Sequence, residues 1–170
     1  MESRIGLPII NVRTQKTFDE IPSNYKGYII IDLGMYAENL PIFIKKTFPD
    51  AIIRIMSTTH VEMYSGNNVV EMFDSSNILA FKNNIIYAYG DSMVIARDDC
   101  SVIARGNSNI ELFGNARAKV YCNSKVHAHN NSYVESHDNA EIFLYDNSNV
   151  GSYRGSTIHV CGDNVVFRYH

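Results

Sequence analysis

Two histidines, His127 and His129, stand two residues apart and could offer two ring nitrogens to one metal ion. On a β-strand, residues two apart point to the same side. A zinc site in a protein needs three or four ligands. Of the residues that the repeat described below brings beside the two histidines, only Glu111 could join them. We therefore interpret the pair as surface histidines and predict neither a metal site nor a cofactor.

Aspartates recur in the turn segments of the chain, which is similar to the pattern of calcium-binding β-rolls. Those folds use a nine-residue unit with paired glycines, whereas here the glycine pairs are absent and the period is eight residues. Aspartate and asparagine also tolerate the left-handed backbone of tight turns, so we interpret these residues as turn formers. They are Asp74, Asp91, Asp98, Asp99, Asp138, Asp146 and Asp163.

The sequence gives little indication of a catalytic site. Sugar-cleaving β-helices place two carboxylates in a groove, and such grooves are built by loops inserted between repeats. Combinations of Ser, His and Asp can be found here, but residue types that recur every eight positions produce such matches by chance. Left-handed acyltransferase helices use hexapeptide units, which the chain lacks. We predict that the protein is not an enzyme and has no catalytic residue.

The elements that position all these residues are short repeated strands. From Gly66 to Tyr169 an eight-residue unit occurs thirteen times, and two further units at 49–56 and 57–64 fit the same frame if Ser65 is an insertion. Positions 3, 5 and 7 are mostly small or aliphatic, whereas positions 4, 6 and 8 are mostly polar or aromatic. This alternation indicates a strand, and Gly, Asp and Asn at positions 1 and 2 indicate a turn. The sequence predicts an all-β protein, a parallel β-solenoid of octapeptide repeats.

Charge pairing indicates how many units make one coil. A coil of two units would place Lys119 beside Glu135, Lys125 beside Glu141 and Glu111 beside His127. A coil of three units would place Glu111 against Glu135, two like charges that repel when adjacent on a sheet. The small inward residues also suit two closely packed sheets. We therefore predict a flattened solenoid with two units per coil.

The 16-residue step of such a coil generates two outward columns in which aromatic rings alternate with Arg or His, a favourable cation–π arrangement. These columns either stabilise the sheets by cross-strand contacts or present to a protein partner the residue types common in binding hot spots. We predict that they form the binding surface. One column contains Phe81, Arg97, Phe113, His129 and Tyr145, and the other contains Tyr89, Arg105, Tyr121, His137, Tyr153 and Tyr169.

The two ends of the chain differ from the repeat. We predict a cap over residues 1–48 and the solenoid over 49–170; within the cap, 27–34 reads as a strand and 38–48, interrupted by Pro41, as a short helix or turn. We expect no comparable cap after the final unit, in which Arg168 would occupy inward position 7. An exposed strand edge tends to pair with another strand. We therefore predict a homodimer through residues 162–170, with Val165, Phe167 and Tyr169 at its edge.

Composition limits the partners and the compartment. The net charge of −3 and the isoelectric point near 6.0 argue against a nucleic-acid partner. The N-terminal residues lack the features of a signal peptide, and no apolar stretch approaches the ~20 residues that span a bilayer. Three cysteines, an odd number with no metal-like spacing, indicate free thiols in a reducing compartment. We expect a cytoplasmic protein with no membrane partner.

The pattern of the eight-residue unit, or octad, resembles that of proteins encoded in bacteriophage and prophage genomes. It is clearest in GDSMVIAR (90–97), DDCSVIAR (98–105) and CNSKVHAH (122–129). These carry runs of near-identical octapeptides behind a short N-terminal region. The resemblance implies a phage-linked setting inside a host cell, where small accessory proteins commonly block a host defence protein, as anti-CRISPR inhibitors do. We expect a non-enzymatic protein-binding module. The alternatives are a self-assembling structural or virion component and a carbohydrate-binding solenoid.

Overall fold

In the computed structural model of the chain, residues 6–34, 40–153 and 155–169 are described. These residues form two parallel sheets that face each other, and successive strands from β3 onwards alternate between them. Sheet A consists of β1 (Ile9–Val12), β2 (Gly27–Ile31), β4 (Ala51–Ile55), β6 (Val69–Met72), β8 (Ile85–Ala88), β10 (Ser101–Ala104), β12 (Arg117–Val120), β14 (Tyr133–Ser136), β16 (Asn149–Ser152) and β18 (Val166–Tyr169). Sheet B consists of β3 (Ile42–Ile44), β5 (His60–Met63), β7 (Asn77–Ala80), β9 (Met93–Ala96), β11 (Asn109–Leu112), β13 (Lys125–Ala128), β15 (Glu141–Leu144) and β17 (Thr157–Val160).

This arrangement confirms the predicted flattened parallel β-solenoid with two units per coil. Ser101 pairs with Arg117 in sheet A, and Asn109 pairs with Lys125 in sheet B, so neighbouring strands are offset by two octads. The single insertion at Ser65 is also visible, because His60 pairs with Asn77, one position beyond that offset.

The core lies between the two sheets and is filled by the inward positions of each octad. Within most of the four-residue strands, buried residues alternate with exposed or half-buried ones, as in β10 and β13. Val102 and Val126 are at most 1% exposed, whereas Ser101, which precedes Val102, is exposed. Because one strand has a single apolar side, each rung is stable only when stacked on its neighbours.

The turns contain left-handed residues, and aspartate shapes several of them. Asp98, Asp138 and Asp146 have φ between 51° and 57°. Each carboxylate also accepts a hydrogen bond from a backbone N–H one coil earlier, as in the 2.9 Å bond from Lys82 N to Asp98 Oδ2. The same side chain thus tolerates the turn conformation and links it to the preceding coil.

Residues before 49 contribute strands to the sheets. β2 confirms the strand predicted within 27–34, and β1 and β2 continue sheet A beyond β4. The helix or turn predicted around Pro41 is wrong where the structure describes it, because β3 begins directly after the proline and pairs with β5. Ile42 and Ile44 are buried, and Phe43 between them is more exposed. This alternation of buried and exposed residues is typical of a strand and not of a helix. The division at residue 48 stays a prediction.

One short helix, α1 (Gln15–Asp19), lies beside the first rungs of the described chain. The Thr14 hydroxyl caps it by accepting a 3.1 Å hydrogen bond from Thr17 N. Phe18 is buried and meets Phe48 edge to face, with ring centroids 5.6 Å apart. The helix therefore adds aromatic packing to this end of the core. No helix of the described residues is long and apolar enough to cross a membrane.

The last strand departs from the register that the eight-residue repeat predicts. Five residues, 161–165, join β17 to β18, whereas four, 153–156, join β16 to β17, so Asn149 pairs with Val166 and not with the residue before it. Arg168 is therefore opposite Gly151, on the outward side, and the prediction that it faces inward is wrong. Phe167, opposite the buried Val150, takes the inward place instead.

Candidate functional site

The sheet B ladder, defined as Phe81, Arg97, Phe113, His129 and Tyr145, forms a continuous column as predicted from the 16-residue step. The Arg97 guanidinium carbon lies 5.8 Å from the centroid of the Phe81 ring and 4.8 Å from that of Phe113. The His129 ring stacks on Phe113 at 4.8 Å and on Tyr145 at 4.5 Å. Each cationic or imidazole group thus lies between two aromatic rings.

The sheet A ladder is a similar column on the opposite face and is defined as Tyr89, Arg105, Tyr121, His137 and Tyr153. Arg105 lies 5.2 Å from the Tyr121 ring centroid, and His137 stacks on Tyr121 at 4.7 Å and on Tyr153 at 4.3 Å. Tyr89 stacks on Phe73, one coil earlier.

Tyr169, which was predicted to extend the sheet A ladder, does not follow Tyr153 in the column. The slip of register in the last rung pairs Tyr169 with Ser152. The ladder among the described residues therefore ends one coil earlier than the sequence frame indicates.

A third stack, which the sequence reasoning missed, occupies position 6 of sheet B. His127 stacks on Phe143 at 4.7 Å, Phe143 stacks on His159 at 4.4 Å, and Lys125 Nζ lies 4.6 Å from the Phe143 ring centroid. The signal was present, because these rings are one coil apart in the sequence, as the ladder residues are. Sheet B therefore presents two neighbouring aromatic columns.

Ring orientation limits what the ladders can bind. In the stacked pairs from Phe113 to Tyr145 and from Tyr121 to Tyr153, the two ring planes make angles of 6° to 13° and are therefore nearly parallel. The faces of these rings therefore contact one another, and their edges point outward. Stacking on a nucleobase needs a free ring face, and so does stacking on a sugar. Edges with hydroxyl groups and ring nitrogens, beside guanidinium groups, suit the hydrogen bonds of a protein surface.

Charged side chains lie beside both ladders. On sheet A, Lys119 Nζ is 2.8 Å from Glu135 Oε2, and His137 Nε2 is 3.0 Å from Glu135 Oε1. The hydrogen bond from Lys119 is the largest cause that lowers the pKa of Glu135, followed among the lowering causes by that from His137. On sheet B, Glu141 lies 3.6 Å from Lys125 and 3.1 Å from His159. These contacts confirm the predicted pairing of Lys119 with Glu135 and of Lys125 with Glu141.

The two histidines first considered as metal ligands are engaged in ring contacts. His127 and His129 each stack in a column, and the His127 Nδ1 atom lies 3.4 Å from the Tyr145 hydroxyl. Burial, followed by the nearby charge of Lys125, lowers the pKa of His127. Across the described ranges, no three His, Cys, Asp or Glu side chains come together in a group that could hold a metal ion.

The three thiols are free. Cys100 is buried, its pKa is raised chiefly by that burial, and its sulfur donates to the Lys82 carbonyl oxygen at 2.8 Å. Cys122 and Cys161 are exposed.

The strand predicted as the dimer edge, β18, is the last strand of sheet A in the described chain. Val165 packs partly against the core, and Phe167 is 36% exposed. In β17, Val160 is 54% exposed although its partner Leu144 is fully buried. Apolar residues at inward positions are therefore accessible at this end.

A polar groove on sheet A, which the sequence did not predict, crosses the strands near this end and has a volume of about 550 Å³. Its walls include Asn115 and Asn131 from the turns, and Arg117, Tyr133 and Arg168 from the strands. None of these belongs to the two ladders.

Fold and surface together define a parallel β-solenoid protein with an aromatic and cationic ladder on each face. Comparison with known proteins finds no family that matches the chain, no similar curated protein and no similar solved structure.

Proposed function

We propose that this chain is a non-enzymatic protein-binding module that blocks a host protein by occupying its surface. The stacked ladders are the observation that carries the proposal. Their Tyr, Arg and His side chains include the residue types that dominate binding hot spots. Inner rings of the ladders are also held between two neighbours, as His129 is between Phe113 and Tyr145. A partner would therefore immobilise few side chains, which lowers the entropic cost of association.

The size of the ladders agrees with this use. Each spans five rungs, and strands in a sheet lie about 4.8 Å apart, so a ladder is roughly 19 Å long. A flat face of this length can contribute to an interface of about 800 Å² per partner. The phage setting and the host defence target, comparable to that of anti-CRISPR inhibitors, rest on the resemblance of the octapeptide repeats. A cytoplasmic location in the host cell is part of the same proposal.

The test is capture from a bacterial host lysate by the immobilised protein, followed by assay of the captured protein. We expect one host protein to be retained in stoichiometric amount and to lose activity when bound. Arg97→Glu and Arg105→Glu change exposed ladder residues and should abolish capture. Lys26→Glu, which has the same charge change at an exposed site away from the ladders, should retain it. Equal capture by all three variants would overturn the proposal.

A self-assembling structural component is the second candidate, and it is favoured by the accessible apolar residues of the last rung, Val160 and Phe167. Such a protein would form long assemblies through its strand edges as concentration rises. A closed homodimer would use each edge once and then stop growing. A carbohydrate-binding role of the ladders is less favoured, because the ring faces are stacked on one another.

A further inference from the structure

The polar groove on sheet A runs along the solenoid axis, across the strands. Arg117, Tyr133 and Asn149 follow one another at the same position of β12, β14 and β16, and Arg168 lies on β18. Three strand spacings of about 4.8 Å therefore separate the strands of the two arginines, roughly 14 Å along the axis. The volume of about 550 Å³ lies within the range of ligand sites.

The slip of register in the last rung brings the second arginine to this groove. Because five residues join β17 to β18, Arg168 is opposite Gly151 and faces outward. Gly151 has no side chain beside Glu135, so the column of Lys119 and Glu135 is interrupted at that point. The cationic wall that Arg168 forms therefore depends on this local departure from the repeat.

The two arginines of the groove form no ion pair within the described chain, and Asp99, which also lines it, accepts a 3.3 Å hydrogen bond from Asn115 Nδ2. Both arginines are exposed. The other charged residues on the outward side of the nearby strands, Lys119 and Glu135, pair with each other. A guanidinium group binds a carboxylate or a phosphate through two parallel hydrogen bonds. The groove therefore has two sites for anionic groups.

Between the arginines, the walls are neutral and polar. Asn115, Asn131 and Asn149 carry amides that both donate and accept hydrogen bonds, which suits the N–H and C=O groups of a peptide backbone. Asp99 lies at the end near Arg117 and would repel a continuous polyanion. An extended peptide rises about 3.3 Å per residue, so two carboxylates four residues apart are roughly 13 Å apart.

We propose that this groove binds an extended acidic segment of the partner protein, with one carboxylate on Arg117 and a second on Arg168. This inference rests on the proposed protein-binding function and adds a second contact region, distinct from the ladders. It predicts a partner in which a loop or terminus carries two acidic residues separated by three others.

The test is a titration of the ¹⁵N-labelled full chain with a short peptide that has two glutamates separated by three residues. We expect saturable amide shifts confined to the groove, and weaker binding at high salt because the contacts are ionic. The peptide with glutamines in place of glutamates should not bind. Arg117→Gln and Arg168→Gln should each weaken binding by roughly tenfold or more, as one lost charge-assisted hydrogen bond does. Lys125→Gln, with the same charge change on sheet B, should leave binding unchanged.

Three results would overturn the inference: no shifts with the acidic peptide, equal binding by the arginine variants, or stronger binding of decathymidylate or trigalacturonic acid than of the peptide. The spectrum of each free variant reports whether it is folded. If the peptide fails but the ladder variants still lose the host protein, only this inference falls. If the intact chain captures no host protein, the proposed function falls.

Discussion

The ammonium nitrogen of Lys119 lies 2.8 Å from a carboxylate oxygen of Glu135, although the two residues are a full coil apart in the chain. The contact exists because β12 and β14 are neighbours in sheet A. Glu111, which a coil of three units would place against Glu135, lies on the other sheet, opposite His127.

A double-mutant cycle on Lys119 and Glu135 should therefore show a small favourable coupling, of the kind found for exposed neighbours. The measurement is urea unfolding of the four proteins. The pair Glu111 and Glu135 is the control and should show no coupling, because the two residues lie on different sheets. Measured repulsion between these two glutamates would contradict the register.

The contribution of Glu135 to stability should depend on pH. Its pKa is lowered from the ordinary value of 4.5, chiefly by the hydrogen bond from Lys119, so the folded state favours the charged form. This stabilisation is complete above pH 4.5 and is lost as the pH falls through the lower pKa of the folded state. Glu135→Gln should therefore be less stable than the unmodified chain at pH 7, and the difference should shrink as the pH falls below 4.5. A difference that persists unchanged at low pH would contradict this cause.

Replacing Val102 with Asp should unfold the solenoid. The side chain is 1% exposed between the sheets, so a carboxylate there would be desolvated. We expect a loss of about 4 kcal/mol or more, measured by urea unfolding. Ser101→Asp places the same charge one residue earlier on the exposed side and should be tolerated. Equal melting temperatures for the two variants would refute the inward and outward assignment.

The turn hydrogen bond of Asp98 should have a measurable effect. Asp98→Gly keeps the left-handed conformation accessible but removes the oxygen that accepts from Lys82 N. It should destabilise the chain by about 1 kcal/mol. Asp98→Asn retains an acceptor and tolerates the same conformation, so it should remain near the unmodified stability. If both variants unfold at the same urea concentration, the bond contributes nothing.

The proposed end-to-end homodimer can be tested by sedimentation. Val166 N donates to Ser148 O within the fold, so a proline there would damage the protomer as well as any contact. Val160→Lys is better placed, because Val160 is 54% exposed at an inward position that a second copy would cover. It should convert the dimer to a monomer. Val166→Lys, on the outward face at 48% exposure, should leave the dimer intact. An unmodified chain that sediments as a monomer at all accessible concentrations would exclude the contact.

Most of the fold could be predicted because each octad repeats one physical rule. The alternation of apolar and polar residues predicts which side of a strand is buried, as it does for Val102. The charge pairs predict the number of units in one coil, as the contact of Lys119 with Glu135 illustrates. The last rung could not be placed, because Val165, Val166, Phe167 and Tyr169 are all good strand formers. Either register of that strand therefore offered apolar residues to its inward side.

The candidate site was predictable only in part. The ladders follow from the coil length, since each member recurs after one full coil. One wall of the groove depends on the last strand, whose shifted register turns Arg168 outward. This shift has no periodic signature in the sequence, so the repeat that predicts the ladders does not predict the groove.

The two-strand coil also determines how this chain could change its length. Deleting or duplicating one whole coil would return each later strand to its own sheet, so both ladders would continue with altered composition but on the same faces. Deleting a single octad, such as 106–113, would instead move every later strand to the opposite sheet. Tyr121 would then continue the column of Arg97, and each face would become a hybrid of the two. Length variants that keep both surfaces should therefore differ by whole coils, even though the sequence repeats by half coils.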